Sequence, residues 1–509
     1  MEGFSRVCRA QGDRLAAALA FLLLAAIKSD RTTLKGLAPA YWSGWADQSH
    51  YFVSARAFLH GALRPDLHWY PLLYPLLLAP FAALPDFYAS LAPDLLCYLA
   101  ALAGFQLVAA RFGVGRWLAL GLFLAATILY PRIASQWLIP WTTTLSAALI
   151  WLALGLASRF AGPPARRPTL GLSCGLGALL GLIPLCRPAD AVLSGLIGLC
   201  LLGPLLARPG GWRGLAALCA GGVAVIAAYL GLYLAIYGPH PTPYMRLSAA
   251  FGLDFARLGW KAYVILIEPR PWYPYGQGML AVLPWLPLGA AGLLLMLARR
   301  GRRWLTALLA LPAFAYTVMM LAYTDLLPSG LWRYNNIHYF KWLLPLLALF
   351  AWLWLRQCRQ RPAAAALALA VVLLPACLHL RPVAAGPREP ARLVLFSSPP
   401  VSFQAVYFGR SLVADRLGPQ YNLLDIHLVP GRDGLIYAEA LRRPFAGDEE
   451  WNVLAGIPPS RPDTGLVGDE VTLPGPFPRP ALARFRPAPG LGWPCWLPPY
   501  LCAAPLSLK

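Results

Sequence analysis

Residues 71–84 read PLLYPLLLAPFAAL, and whether this run crosses a bilayer decides the topology of everything that follows. It is apolar throughout, yet short, and it holds Pro71, Pro75 and Pro80. A helical crossing needs about 20 apolar residues, and an interior proline removes a backbone hydrogen bond and crowds the preceding turn. If the run crossed, Arg111 and Arg116 would land outside. Every later basic loop would then invert against the tendency of Lys and Arg to stay on the cytoplasmic side. Read as a re-entrant or surface helix, it leaves the order of charges consistent.

Outward from that decision, the sequence predicts eleven spans. Span 1 is Leu15–Ile27, behind Arg6, Arg9 and Arg14; no small-residue cleavage site follows it, so it is read as retained. A long outer segment covers 28–94. Spans 2 to 6 are Leu95–Ala110, Trp117–Tyr130, Trp141–Ala157, Thr169–Ile183 and Ala191–Ala207. Spans 7 to 11 are Leu215–Tyr237, Gly278–Ala298, Trp304–Tyr323, Tyr339–Leu355 and Ala363–Leu380. The loops expected inside are 111–116, 159–167, 208–213, 299–303 and 356–361, all rich in Arg and almost free of acid. That order puts the N-terminus in the cytoplasm and the tail outside. From Arg381 short β-rich runs (Arg392–Ser397, Tyr421–Val429, Gly434–Ala438, Glu470–Leu473) alternate with Gly, Pro and Asp clusters. The expectation is a polytopic α-helical membrane domain over 1–380, followed by a small β-rich or α/β extracytoplasmic domain over 381–509.

Composition agrees. Of 509 residues, 58% are hydrophobic and only 13% charged, with mean hydropathy +0.56; a soluble domain cannot hide that much apolar surface. The net charge of +21 sits mostly between the hydrophobic runs, a pattern of topology signals that speaks against a nucleic-acid partner. The ten cysteines are scattered without a CxxC pair, which disfavours a metal cluster. Cys495 and Cys502 would bridge only in an oxidising compartment.

The outer segment carries the chemistry. Ala40–Gly61 reads AYWSGWADQSHYFVSARAFLHG and places one carboxylate, Asp47, among Trp42, Trp45, His50, Tyr51 and Arg56. The spacing of Tyr51, Ala55, Phe58 and Leu59 predicts a short amphipathic helix stopped by Gly61. Such a helix would lie in the interface with its aromatic face in lipid, and an acid at that depth is costly unless it is used or paired. The other outward-facing chargeable groups include Arg187, Arg246, Asp254, Glu268, Arg333, His338 and Lys341. Cations dominate, and a local phosphate explains them, either of membrane headgroups or of a bound lipid phosphate held bidentately by guanidinium. Arg187, between Pro184 and Pro188, and Arg333, before Tyr334, are the leading positions.

Several stretches resemble the GT-C superfamily of integral-membrane glycosyltransferases, which includes lipid A aminoarabinose transferases, protein O-mannosyltransferases and mycobacterial-type arabinofuranosyltransferases. Asp47–Tyr51 is similar to the D-x-x-x-Y-like setting near the start of their first outer loop. Gly61 and Trp69–Pro80 are similar to the Gly and Pro-rich apolar helix that follow it. Leu182–Pro188 (LIPLCRP) resembles their Arg-Pro turn, and Arg333–Pro345 (RYNNIHYFKWLLP) their late outer loop. The resemblance covers roughly Leu15–Leu380, and each motif is loose. The sequence departs from the pattern at PRIASQWLIPWTTT, which offers Gln136 and Thr142–Thr144 where a second carboxylate often stands. It also lacks a DxD, which disfavours the metal-dependent branch.

The resemblance implies an enzyme of the bacterial inner membrane. It would move a sugar from a polyprenyl-phosphate donor to a hydroxyl of a glycan, lipid or protein acceptor on the outer face, inverting the anomeric carbon and needing neither metal nor cofactor. Asp47 would be the base. Arg187, Arg333, Lys341 and His338 would hold the donor phosphate, and Trp45, His50, Tyr51, Arg56, Arg246 and Glu268 would contact substrates. Two other readings stay open. A flippase or carrier of lipid-linked sugars predicts polar residues or broken helices at mid-membrane. An oligosaccharide ligase predicts more clustered outer arginines.

Overall fold

The computed structural model describes residues 46–161, 169–207, 210–242, 244–245, 278–323 and 336–374, scattered positions between 253 and 331, and backbone elements only from 375 onward. Span 1, the 1–45 segment and the Cys495–Cys502 pair lie outside the described residues. The chain divides into two units, the first formed by 1–246, 285–317 and 337–369, the second by 247–284, 318–336 and 370–509.

The first described helix, α1, is Ala46–Leu59. The 71–84 run gives only α2, Leu73–Leu78, and a 3-10 turn, Ala79–Phe81. Six helical residues rise about 9 Å against a hydrocarbon core of about 30 Å, so this helix is too short to cross by itself. Instead it packs on α1: Tyr51, Phe52 and Ala55 are buried with Tyr74, Leu78, Ile139 and Trp141. The expected lipid-facing stripe of α1 is therefore corrected at Tyr51 and Ala55, while Leu59 stays exposed. Its partner is protein, because α2 and the 139–141 turn supply an apolar surface that lipid would otherwise have to provide.

The helices that follow are α3 (Leu91–Arg111), α4 (Arg116–Thr127), α5 (Pro131–Leu138), α6 (Thr142–Ala157), α7 (Leu170–Cys186), α8 (Ala191–Leu206), α9 (Gly211–Tyr237), α10 (Leu286–Leu297), α11 (Arg303–Ala322), α12 (Leu343–Gln360) and α13 (Pro362–His379). Among the described residues five helical segments are long and apolar enough to cross a membrane, or six if α4 and α5, bent by 92°, count as one. The segments 170–186, 286–297 and 362–374 are apolar but shorter. Two expectations change. The outer turn expected after span 3 is the helix α5, and span 8 is broken between Val282 and Leu286. Pro284 explains the break, since it lacks an N–H and biases Leu283 away from helical dihedrals.

Small residues bring the helices of the first unit close. A Cβ on Gly104 of α3 would fall directly on the Trp151 carbonyl of α6, and one on Gly221 of α9 on the Cys174 carbonyl of α7. Close backbone approach of this kind is how helices pack where lipid gives no hydrophobic drive. At one end of the unit, basic loops meet over the C-terminus of α3. Arg302 donates to the Arg111 carbonyl and lies 5.9 Å over the Phe112 ring, while Arg356 donates to the Phe112 carbonyl at 3.3 Å. Cations there satisfy free carbonyls and oppose the negative end of the helix dipole. Three of the Arg-rich loops thus share one end.

In the second unit β1 (Leu380–Ala384) pairs antiparallel with β8 (Ala483–Pro487). Strand β2 (Arg392–Ser398) lies between β3 (Ser402–Gly409) and β7 (Asp469–Thr472), and β5 (Ile436–Leu441) between β4 (Asp425–Pro430) and β6 (Asn452–Ile457).

Candidate active site

Asp47 occupies the first turn of α1, where a carboxylate faces the positive end of the helix dipole. Tyr70 donates its hydroxyl to Asp47 Oδ1 at 2.5 Å. The Tyr70 ring packs on Tyr51 and Tyr244, both with centroids at 4.9 Å, and His50 stacks on Trp69 at 5.3 Å. Burial raises the Asp47 pKa above the ordinary carboxylate value, although the Tyr70 hydrogen bond and the His50 charge pull it down. Burial likewise holds His50 below its ordinary value, against the pull of Asp47. A carboxylate whose charge is poorly solvated is a stronger proton acceptor.

Two of the expected substrate contacts lie differently from Asp47. Tyr51 is only 2% exposed and packs against the Tyr70 ring. Arg56 is exposed about two and a half turns further along α1, which leaves it half a turn out of phase with Asp47 and outside this cluster.

The cationic side is built by the turn after α7. Arg187 caps α7, and Pro188 opens the 3-10 turn that ends it. Expected at an outward mouth, Arg187 is instead 6% exposed. Its Nη1 donates to Asp190 Oδ1 at 3.3 Å and to Tyr316 Oη at 3.1 Å, and the guanidinium lies 4.8 Å over the Tyr339 ring. Ser146 donates to the other oxygen of Asp190.

His338 and Lys341 are corrected in the same sense. Lys341 is 1% exposed, donates to the Gln136 carbonyl at 2.9 Å and to Thr144 at 2.7 Å, and lies 5.2 Å from the Trp137 ring centre. His338 lies 3.0 Å from the Thr143 hydroxyl and stacks on Trp141 at 4.1 Å. Burial holds the His338 imidazole well below its ordinary value, and Lys341 and Arg187 push the same way. Neither side chain is a surface headgroup contact, because the Gln136–Thr144 stretch encloses both.

Tyr51 joins the two sides. Its hydroxyl hydrogen-bonds Thr142, and both Asp47 and Arg187 act on it electrostatically. Tyr244 likewise acts on Tyr70 and on Arg187. The base candidate and the buried cation therefore both act on Tyr51.

The sequence reading missed a further buried carboxylate. Helix α3 starts at Leu91, earlier than expected, and takes Asp94 into its first turn at 0% exposure, where Tyr74 donates to it at 2.8 Å. Asp190 is buried as well, and its i+3 spacing from Arg187 is the signal the sequence offers for it. Trp45, Arg246, Asp254, Glu268 and Arg333 lie outside the described residues. Among the described residues no three His, Cys, Asp or Glu side chains group as metal ligands would.

The class these features define is a mostly helical chain with several helices able to cross a membrane, and with a tyrosine-bound carboxylate and a buried arginine–aspartate pair. No protein-family model, curated protein or solved structure matches the chain.

Proposed function

We propose that the chain is a GT-C-type glycosyltransferase of a bacterial inner membrane. It moves a sugar from a polyprenyl-phosphate donor to an acceptor hydroxyl on the outer face. Eleven spans and an extracytoplasmic 381–509 domain belong to the same proposal. The observation that carries it is the desolvated Asp47 carboxylate held by Tyr70, with Asp47 and the Arg187 cation both acting on a second tyrosine, Tyr51.

In the proposed reaction the acceptor oxygen forms a bond to the anomeric carbon as the bond from that carbon to the donor phosphate oxygen breaks. Asp47 takes the acceptor proton, and polyprenyl phosphate leaves. Single displacement inverts the anomeric carbon. Tyr70 engages Oδ1, which leaves Oδ2 to meet the acceptor. Cationic residues stabilise the charge that develops on the leaving phosphate. Arg187 is the described candidate and Arg333 the candidate outside the described residues.

Two measurements test this. Losing a hydrogen bond to a charged partner costs about 1.5–3 kcal/mol. Arg333→Ala, and the paired change Arg187→Gln with Asp190→Asn, are each expected to weaken binding of a polyprenyl-phosphate sugar about tenfold or more in detergent micelles. Parent-like affinity in both would remove them from the phosphate site and turn attention to Arg246. Separately, Ser460→Cys on intact cells is expected to react with a membrane-impermeant thiol reagent. Reaction only after the membrane is opened would mean an even number of crossings.

A carrier of lipid-linked sugars is a second reading, favoured by the Val282–Leu286 break and by the buried Arg187–Asp190 pair. Protein-dependent movement of a lipid-linked sugar across vesicles, without transfer to any acceptor, would establish it.

A further inference from the structure

The C-terminal part of α9 carries Tyr229, Tyr233 and Tyr237 at four-residue spacing, which aligns them along one face. Their rings follow one another at 6.5 and 4.9 Å. The bland reading is an aromatic belt at the membrane interface. The hydroxyls argue otherwise. Tyr237 donates to the His68 carbonyl at 2.6 Å, and Tyr229 accepts from the Leu72 N–H at 3.3 Å. Both bonds go to main chain, and they flank Trp69 and Tyr70 on either side. Leu72 itself is fully buried against Tyr229, Leu232, Tyr233 and Tyr237.

The opposite side of the same segment is tied to α1. His68 lies 2.6 Å from the Ser54 hydroxyl through Nδ1 and 3.0 Å from the Ala62 carbonyl through Nε2. A carbonyl only accepts, so Nε2 carries the proton and Nδ1 accepts from Ser54. Tyr233 donates to the His240 carbonyl at 2.6 Å, in the turn leading to Tyr244, whose ring covers Tyr70.

We propose that Tyr229 and Tyr237 of α9 are positioning residues, clamping the His68–Leu72 main chain so that the Tyr70 hydroxyl stays on Asp47. A short bond from a residue on irregular backbone depends on where that backbone is held, since Tyr70 has only two side-chain torsions with which to adjust. The consequence for rate rests on Asp47 being the base; the clamp itself does not.

The test therefore reads Asp47 without turnover. The carboxyl stretch of Asp47 is titrated by infrared difference spectroscopy on the full chain in detergent and assigned by its loss in Asp47→Asn. The groups acting on Asp47 are Tyr70, His50 and Tyr51, with Tyr244 behind Tyr70. Because the Tyr70 hydrogen bond favours the carboxylate, Tyr70→Phe is expected to move the midpoint upward. Tyr237→Phe and Tyr229→Phe are expected to move it the same way by part of that amount. Tyr98→Phe, which removes the remote buried contact with Thr127, controls for lost stability and is expected to leave the midpoint in place. An unchanged midpoint in both α9 variants, with Tyr70→Phe shifted, overturns the clamp and leaves the proposed function intact. Shifted midpoints together with full transfer by Asp47→Asn would sustain the clamp and remove Asp47 as the base.

Discussion

Asp47→Asn is expected to fold and insert like the parent and to lose about 10²- to 10⁴-fold in transfer, the usual contribution of a positioned base. The amide keeps an oxygen to accept from Tyr70 but cannot take a proton. Folding should survive because burial penalises the charged form of this side chain. The folded pKa is raised above the ordinary 3.8, so the native state binds the proton more tightly than the unfolded chain. The parent's stability relative to the asparagine variant therefore rises as pH falls from the raised folded value toward the ordinary one. Above that window the carboxylate is a net cost that asparagine removes. Thermal unfolding in detergent at several pH values, beside a transfer assay, reads both effects. For the parent, the acid limb of kcat/KM should lie above the usual carboxylate range. Near-parent turnover would transfer the role of base to Asp254 or Glu268.

Asp190→Ala is expected to destabilise the first unit by about 3–5 kcal/mol, the cost of leaving a buried charge without its partner. Arg187 would keep only the Tyr316 hydroxyl and the Tyr339 ring, and Ser146 would lose its acceptor. Adding Arg187→Gln should restore much of the loss, because the stranded charge is then gone. Thermal unfolding of the two variants decides it. A cost under about 1 kcal/mol, the range of solvent-exposed pairs, would show that Arg187 reaches water or another anion.

The local sequence was enough for features that depend on run length and on single residues. Apolar runs and the Arg-rich loops between them marked α3, α6, α7, α8, α9 and α11 to within a few residues, because partition into a membrane is summed along consecutive positions. The prolines and short length of Pro71–Leu84 marked it as holding only a short helix for the same kind of reason. Pro284 was equally legible as a helix breaker and was outweighed by the hydrophobicity around it. Asp47 stood out because an acid among aromatics is costly wherever the chain folds.

What surrounds those residues was set only by tertiary packing. Tyr70 reaches Asp47 and Tyr316 reaches Arg187 across long stretches of chain, and Lys341 and His338 lie against Thr144 and Thr143 from the far end of the first unit. Periodicity reports one face of one helix; it carries no information about which other helix meets that face. The sequence accordingly placed Arg187, His338 and Lys341 on open loops, whereas packing encloses them, since a buried cation is tolerated wherever distant carbonyls, hydroxyls and a carboxylate converge on it. The chain determined its apolar helices and its exceptional acid locally. Only the fold decided which tyrosine holds that acid and which groups enclose the buried arginine.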